Sequence, residues 1–226
     1  MRITMAGLAL LAGSVALPGL ASAQAADPFE AGDVLVRVRG IVIAPQDDSS
    51  GIRPALPDET VEVSTQLVPE IDVTYFVSPN VSFELIAATA KHDVEGVTGV
   101  TGGIGELAST WVLPPTLTAQ YHFNPAGTVR PYLGAGVNYT LFYSEKASSG
   151  LEAAVGSTDV DLDDSFGLAV QAGVDVAVSD RLLLNLDAKW IDIDTTATLR
   201  TGALGTQTLD VGIDPLVVGI GLGWQF

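Results

Sequence analysis

Alternation between large apolar residues and small or polar ones dominates this chain, and it is sharpest in the last eleven residues. From Leu216 to Phe226 every second residue is large and apolar, whereas the residues between are valine, glycine or glutamine. A period of two puts these two sets on opposite faces of a β-strand. The segment is predicted to be a strand with a lipid-facing side and an aromatic residue at the membrane interface. The alternative is a buried final strand of a soluble sheet.

The same period recurs in seven earlier segments, which predicts eight strands joined in turn by short turns and longer loops. The predicted strands cover residues 34–43, 62–77, 81–92, 111–123, 129–143, 165–178, 181–194 and a closing strand after 207. The predicted longer loops are 45–60, 93–110, 144–164 and 195–207. Outer-membrane barrels have short periplasmic turns and long extracellular loops. The fold class is therefore predicted to be all-β, an eight-stranded antiparallel transmembrane β-barrel, formed by residues 24–226.

Residues 1–23 have the character of a secretory signal peptide. Arg2 precedes an apolar stretch, and Ala21-Ser22-Ala23 is a small-residue cleavage site. No later run reaches the roughly 18 apolar residues of a membrane-spanning helix, yet 47% of the residues are hydrophobic. Only helices and closed barrels satisfy the backbone in lipid. The chain is thus predicted to lie in the bacterial outer membrane, with lipid, lipopolysaccharide and the barrel-insertion machinery as partners; its terminal Phe226 resembles the signal read by that machinery.

Charge and composition narrow the function classes. A net charge of −17 argues against nucleic-acid binding, and without cysteine no disulfide can form. The third loop carries Asp159, Asp161, Asp163 and Asp164 but lacks the spacing of an EF-hand calcium loop. We expect a solvated acidic loop, bridged by divalent ions to lipopolysaccharide phosphates, and no cofactor or dedicated metal site.

Inward-facing charges predict a plug low in the lumen. An arginine facing lipid costs roughly 2–4 kcal/mol, which assigns Arg37 and Arg39 to the interior. An eight-stranded barrel holds little more than its own side chains or one small ligand, and buried charges are ordinarily paired. The predicted plug is a structural network of ion pairs and hydrogen bonds formed by Arg37, Arg39, Asp72, Glu84, Arg130 and Asp175.

Apolar residues are predicted to face the upper lumen, where they would be costly unless they pack together or meet a ligand. They are Ile41, Ile43, Val68, Ile86, Ala88, Val112, Phe142, Ile191, Ile193 and Ile213. We interpret them as a binding funnel for a small hydrophobic ligand, open to the outside and blocked below. A captured molecule would then leave sideways through the wall.

Prolines within the predicted strands fit such a lateral opening, because each removes a ladder donor. They are Pro69, Pro114, Pro115 and Pro215. The alternative is that they mark bulges or strand ends above the membrane.

Enzymatic activity is not expected. His92 and His122 are the chain's two histidines, and no nucleophile motif accompanies either of them. Two competing functions stay open at this point: a surface barrel whose loops act as adhesin or receptor, and a structural envelope protein without transport.

Several stretches resemble the OmpW family of outer-membrane proteins. Residues 113–125 resemble the family's fourth strand, 130–140 its fifth, and 76–93 its second turn and third strand; Asp214-Pro215-Leu216 and the end of the chain match as well. The loops match no family pattern. The resemblance implies an eight-stranded barrel linked to uptake of small hydrophobic compounds. The predicted function is passive uptake, with capture in the upper lumen and lateral release into the membrane.

Overall fold

The computed structural model describes residues 27–226, so the predicted signal peptide lies outside the described residues. Strands and two short helices follow one another along that part of the chain. They are β1 (Val34–Ala44), β2 (Asp48–Ser49), β3 (Val61–Val63), β4 (Gln66–Ser78), β5 (Val81–Ala88), β6 (Ala90–Gly96), α1 (Gly99–Ile104), β7 (Glu106–Leu113), β8 (Thr116–His122), β9 (Val129–Ala147), α2 (Ser149–Val155), β10 (Thr158–Leu162), β11 (Ser165–Ala177), β12 (Leu182–Ile191), β13 (Asp194–Thr201), β14 (Gly205–Gly212) and β15 (Leu216–Gln225). Neither helix is long and apolar enough to cross a membrane.

Eight of these strands close into a barrel in which every pair of neighbouring strands is antiparallel. The ring runs β1, β4, β5, β8, β9, β11, β12 and β15. It closes where β15 pairs with β1, from Leu35↔Gln225 to Ala44↔Leu216. Closure leaves the wall without a free edge, which is how backbone groups are satisfied in lipid. The predicted eight-stranded antiparallel barrel is confirmed.

The two faces of each strand carry the residues that the alternation predicts. Val38, Ile71 and Leu85 are exposed on the outer wall, whereas Arg37 and Asp72 are fully buried inside. Trp111 and Trp224 are also exposed on the outside, and Trp190 holds an outward position on β12 between two buried residues. An apolar outer wall around a polar interior is the arrangement of an outer-membrane barrel.

A strap formed by residues 27–33 crosses the short-turn end of the barrel. The Asp27 and Phe29 amides donate to the Asp180 and Pro125 carbonyls, at 3.1 and 3.0 Å. The Phe29 ring is buried 4.3 Å from the Phe76 ring. These residues precede the first predicted strand, and they close the lumen from below.

The four longer connections are folded, whereas the sequence analysis describes them only as loops. The predicted second loop, 93–110, holds the end of β6, all of α1 and the start of β7. The predicted fourth loop, 195–207, lies largely in the β13–β14 hairpin, which joins β10 and β2 in a four-stranded sheet. Above the lipid the outer faces of β13 and β14 meet water and carry polar residues, while Leu199 and Leu209 are buried on their inner faces. The apolar outward set that marks membrane strands is therefore absent from these two strands.

Candidate functional site

Arg37 is the centre of an ion-pair network in the lower lumen. Its Nε and Nη2 atoms donate to the Asp175 carboxylate at 3.1 and 2.8 Å. Its Nη1 atom lies 3.0 Å from Asp72 and 3.2 Å from Glu84, and it donates to the Thr74 hydroxyl at 2.7 Å. The arginine and its three carboxylates are fully buried. Burial of charge is costly unless partners surround it, so these contacts hold the lower lumen shut.

Arg39 extends the network toward the outer end of the barrel. Its Nε atom lies 2.7 Å from Glu70 and its Nη2 atom 2.8 Å from Asp72. The Lys189 ammonium donates to both Glu70 oxygens at 2.9 Å and lies 3.4 Å from Asp187. Glu70, Asp187 and Lys189 are absent from the predicted plug, although they occupy inward positions of the same alternation that selects Arg37.

Arg130 is predicted to belong to the ion-paired plug, but its hydrogen-bond partners are backbone carbonyls. It is buried at the short-turn end, where it donates to the carbonyls of Gly127 and Asp27 at 2.8 and 2.7 Å. Its guanidinium carbon lies 4.3 Å from the centre of the Phe29 ring. Within residues 27–226 it makes no ion pair; the Asp27 carbonyl of the strap and the Gly127 carbonyl of the turn before β9 are its partners instead.

Above the network lies an apolar chamber with a volume of about 100 Å³. Nine of the ten residues predicted for the ligand site line it: Ile41, Ile43, Ile86, Ala88, Val112, Phe142, Ile191, Ile193 and Ile213. The tenth, Val68, packs against the same cluster without lining the chamber. Glu70 and Lys189, already paired with each other, form part of its polar floor.

The loops continue the apolar surface of the chamber. Ile52, Leu107 and Leu209 line it from three different connections and are only 7%, 3% and 6% exposed. They pack in one cluster with the barrel residues below them. The apolar surface therefore runs into a packed loop layer, whereas the sequence analysis expects a funnel open to the outside.

The barrel wall is interrupted beside the chamber, at a position that we call the seam: residues 87–89 on one strand and 113–115 on the next. The ladder between β5 and β8 ends at Ile86↔Thr116, and the ladder between β6 and β7 begins at Ala90↔Val112. Between these rungs, residues 87–89 and 113–115 face each other without ladder pairs. The predicted fourth strand, 111–123, is therefore divided into β7 and β8.

Pro114 and Pro115 explain the seam, because two successive prolines supply no backbone donor. Pro114 also lines the chamber. The carbonyl of Pro115 turns the other way and accepts the Tyr139 amide of β9 at 3.1 Å. Across the seam, the Thr89 hydroxyl donates to the Val112 carbonyl at 3.1 Å, so a side chain replaces part of the missing ladder.

Pro215 differs from the predicted lateral opening because hydrogen bonds close its junction. The Ile191 amide donates to the Pro215 carbonyl at 3.3 Å, and the Ile213 amide donates to the Ile193 carbonyl at 2.8 Å. The Ile193 amide donates to the Asp214 carboxylate at 3.1 Å. The wall is continuous at this point.

Pro69 lies within β4, exposed on the outer wall and paired with Gly40 of β1. On its other side, the β4–β5 ladder ends one residue away, at Glu70↔Ala88. The four prolines of the predicted lateral opening thus occupy three different settings. Pro114 and Pro115 form the seam beside the chamber, Pro215 lies in a hydrogen-bonded junction, and Pro69 lies within β4.

Comparison with known proteins places the chain in a family. Residues 30–226 match the model of the OmpW family. Outer membrane protein W of Vibrio cholerae is 37% identical over 228 residues, covering 100% of both chains. Outer membrane protein AlkL of Ectopseudomonas oleovorans is 25% identical over 173 residues, 76% of this chain and 71% of that protein.

A solved structure agrees with the same assignment. The crystal structure of the outer membrane protein OprG from Pseudomonas aeruginosa superposes with a TM-score of 0.83 at 31% identity, covering 89% of this chain and 99% of that one. The match extends over the barrel wall described above. The chain belongs to the OmpW family and is an integral protein of the outer membrane.

Proposed function

We propose that this barrel takes up small hydrophobic molecules passively, by capture in the apolar chamber and lateral release through the seam into the membrane. The observation that carries this proposal is the position of the seam: the wall lacks its ladder where Pro114 lines the chamber. A molecule in the chamber therefore has an exit toward lipid, and an apolar molecule gains free energy by taking it.

Continuation straight down is blocked twice. The network around Arg37 and Arg39 fills the lower lumen with buried charges. Beneath it, Phe29 of the strap packs against Phe76 and closes the short-turn end. Displacement of these groups would leave buried charges without partners. Each unpaired ion would cost about several kcal/mol, as when one member of a buried ion pair is removed.

The chamber favours an apolar occupant by its composition. Isoleucine, valine, leucine and alanine supply most of its lining, and its volume of about 100 Å³ suits a narrow molecule. When an apolar ligand moves from water into such a site, the free energy falls by about 25 cal/mol for each Å² of apolar surface that is buried.

The seam can be tested by restoring backbone donors. The double variant Pro114→Thr, Pro115→Val supplies two amides, of which the one at 114 can pair with residues 87–89 and the one at 115 lies on the side of Tyr139 in β9. We expect it to slow uptake of an alkane or apolar dye at least severalfold. Pro131→Val is the matched control, because Pro131 is an exposed strand proline on β9 whose ladder is intact. Uptake by the double variant equal to that of the control would contradict lateral release.

The chamber can be tested independently of the seam. In Ile43→Asp, Ile191→Asp, two carboxylates enter the apolar lining, and we expect loss of uptake because an apolar ligand cannot compensate their hydration. Uptake that is unchanged in this variant argues against the chamber. If deletion of loop residues abolishes cell binding but leaves uptake intact, the adhesin or receptor function is favoured instead.

A further inference from the structure

All but one of the polar side chains that line the apolar chamber have every side-chain nitrogen and oxygen hydrogen bonded within residues 27–226. Glu70 and Lys189 pair with each other at 2.9 Å. The hydroxyls of Thr116, Thr110 and Thr195 donate to the carbonyls of Pro114 at 3.0 Å, Trp111 at 3.2 Å and Asp163 at 2.7 Å. The donors among these five groups are therefore engaged within the protein, and the Thr116 hydroxyl also accepts the Asn138 amide at 2.9 Å.

His92 is the exception. Its side chain lines the chamber from β6, and the residue is 5% exposed. The Nδ1 atom lies 2.8 Å from the Ser64 carbonyl. Because a carbonyl only accepts, Nδ1 carries the ring proton and Nε2 of the neutral ring is a free acceptor. No group in residues 27–226 is hydrogen bonded to Nε2.

We propose that the chamber selects apolar molecules that carry one hydroxyl group, and that this hydroxyl donates a hydrogen bond to Nε2 of His92. The inference rests on the proposed uptake function and names the substrate class. A hydroxyl loses its water when it enters an apolar site and needs a partner there, and a buried acceptor without a donor is equally unfavourable. With an alkanol, the ligand hydroxyl and Nε2 of His92 both gain a partner, whereas an alkane of the same length leaves Nε2 without a donor.

The position of His92 also sets the orientation of the ligand. Ala90 borders the seam, and His92 is the next inward-facing residue of β6. At a strand rise of about 3.3 Å per residue, His92 lies roughly 7 Å farther from the periplasm than Ala90. With its hydroxyl held there, the alkyl chain lies against the isoleucines and extends toward the seam. The molecule leaves with its apolar end first.

The experiment uses the full barrel in lipid nanodiscs with nitrogen-15-labelled histidine. The chain has 2 histidines, so each imidazole gives separate resonances. With 1-octanol we expect the Nε2 resonance of His92 to shift toward that of a hydrogen-bonded acceptor. His122 lies at the short-turn end, 5.3 Å from the Phe29 ring, and its resonances should stay in place. Octane, the matched apolar probe, should move neither histidine but should perturb the methyl groups of Ile191 and Ile193.

Variants measure how much the hydrogen bond contributes. His92→Phe keeps a ring but removes the acceptor, and we expect binding of 1-octanol, measured relative to that of octane in the same variant, to weaken about three- to tenfold. His92→Gln, whose amide oxygen can accept, should recover part of the loss. His122→Phe is the control and should bind 1-octanol like the unmodified protein.

The possible results separate this inference from the uptake proposal. If octane and 1-octanol perturb the isoleucine methyls equally and His92 does not respond, the hydroxyl selection is wrong while the chamber remains a hydrophobic binding site. If neither probe perturbs those methyls, the uptake proposal itself fails. Because the titration uses the unmodified protein, both results are obtained even if a His92 variant does not fold.

Discussion

Replacement of Arg37 by methionine would remove the central cation of the lower lumen while keeping a long apolar side chain. The change deletes both bonds to Asp175 and the contacts with Asp72 and Glu84. We expect the barrel to fold less stably, because buried carboxylates would lose a partner that solvent cannot replace.

The size of the effect follows from which carboxylates keep a cation. Asp72 and Glu84 still lie 2.8 and 3.3 Å from Arg39. Asp175 keeps only the Asn185 amide, at 2.9 Å. One carboxylate is therefore left without an ion-pair partner, and removal of one member of a buried pair costs about 3–5 kcal/mol.

Urea unfolding of the barrel in phosphocholine vesicles measures this change. Exposed Trp111 and Trp224 report on contact with lipid, so their emission follows unfolding, and linear extrapolation gives the free energy difference. The double variant Arg37→Met, Asp175→Asn should be more stable than the sum of the single effects predicts, by about 1–3 kcal/mol, because the orphaned charge is gone.

Arg130→Met is the matched control. Arg130 is equally buried but donates to two carbonyls and contacts no carboxylate at ion-pair distance within residues 27–226, so we expect a smaller loss of about 2–3 kcal/mol. The reasoning is refuted if Arg37→Met is as stable as the unmodified barrel, or if the two single variants are equally unstable and the double variant shows no coupling. Either result would mean that the lower lumen is hydrated and does not depend on charge pairing.

Three further predictions concern other parts of the molecule. Phe29→Ala should cost about 3–5 kcal/mol in the same unfolding experiment, because it leaves a cavity under the strap. Hydrogen bonding by Thr101 lowers the pKa of Glu59. That contact therefore stabilises the loops at neutral pH and is lost as the pH falls through the lowered value, which amide exchange of Thr101 will show as a smaller protection factor in acid, once the intrinsic pH dependence of exchange is divided out. Gly173→Ala should cost about 1–3 kcal/mol, because the added methyl would collide with the Tyr132 hydroxyl and displace it from its carboxylate partner.

Each of these has a result that counts against it. A Phe29→Ala barrel with unchanged stability would show that the strap does not support the lumen. A protection factor at Thr101 that is the same at neutral and acidic pH would separate Glu59 from the order of the loop. A stable Gly173→Ala barrel with Tyr132 still bonded to Asp187 would mean that the lumen has room that the structure does not show.

Two-residue alternation predicts the barrel wall from sequence because lipid and lumen impose opposite demands on neighbouring residues. Val38 outside and Arg37 inside follow directly from that rule. The chamber lining is predicted for the same reason, since Ile41, Ile191 and Ile213 are apolar residues at inward positions.

Folding of the loops escapes this rule, because the outer faces of β13 and β14 carry polar residues that meet water and not lipid, although Leu199 and Leu209 are buried on their inner faces. The partners of Arg130 also escape it, since they are backbone oxygens of the strap and of a turn, and backbone groups carry no sequence signal. The prolines illustrate the limit well: the sequence predicts four missing donors, but only tertiary hydrogen bonds determine that Pro215 lies in a continuous wall and Pro114 beside a stretch without ladder pairs.

The strap has a consequence for the order of assembly. Its anchors belong to distant parts of the chain: the Pro125 carbonyl follows β8, the Asp180 carbonyl precedes β12, and Gln225 of the final strand donates to Pro28. The complete set of strap contacts therefore requires the closed barrel. A barrel whose final strand is unpaired would lack the Gln225–Pro28 hydrogen bond, and its periplasmic side would be less firmly sealed.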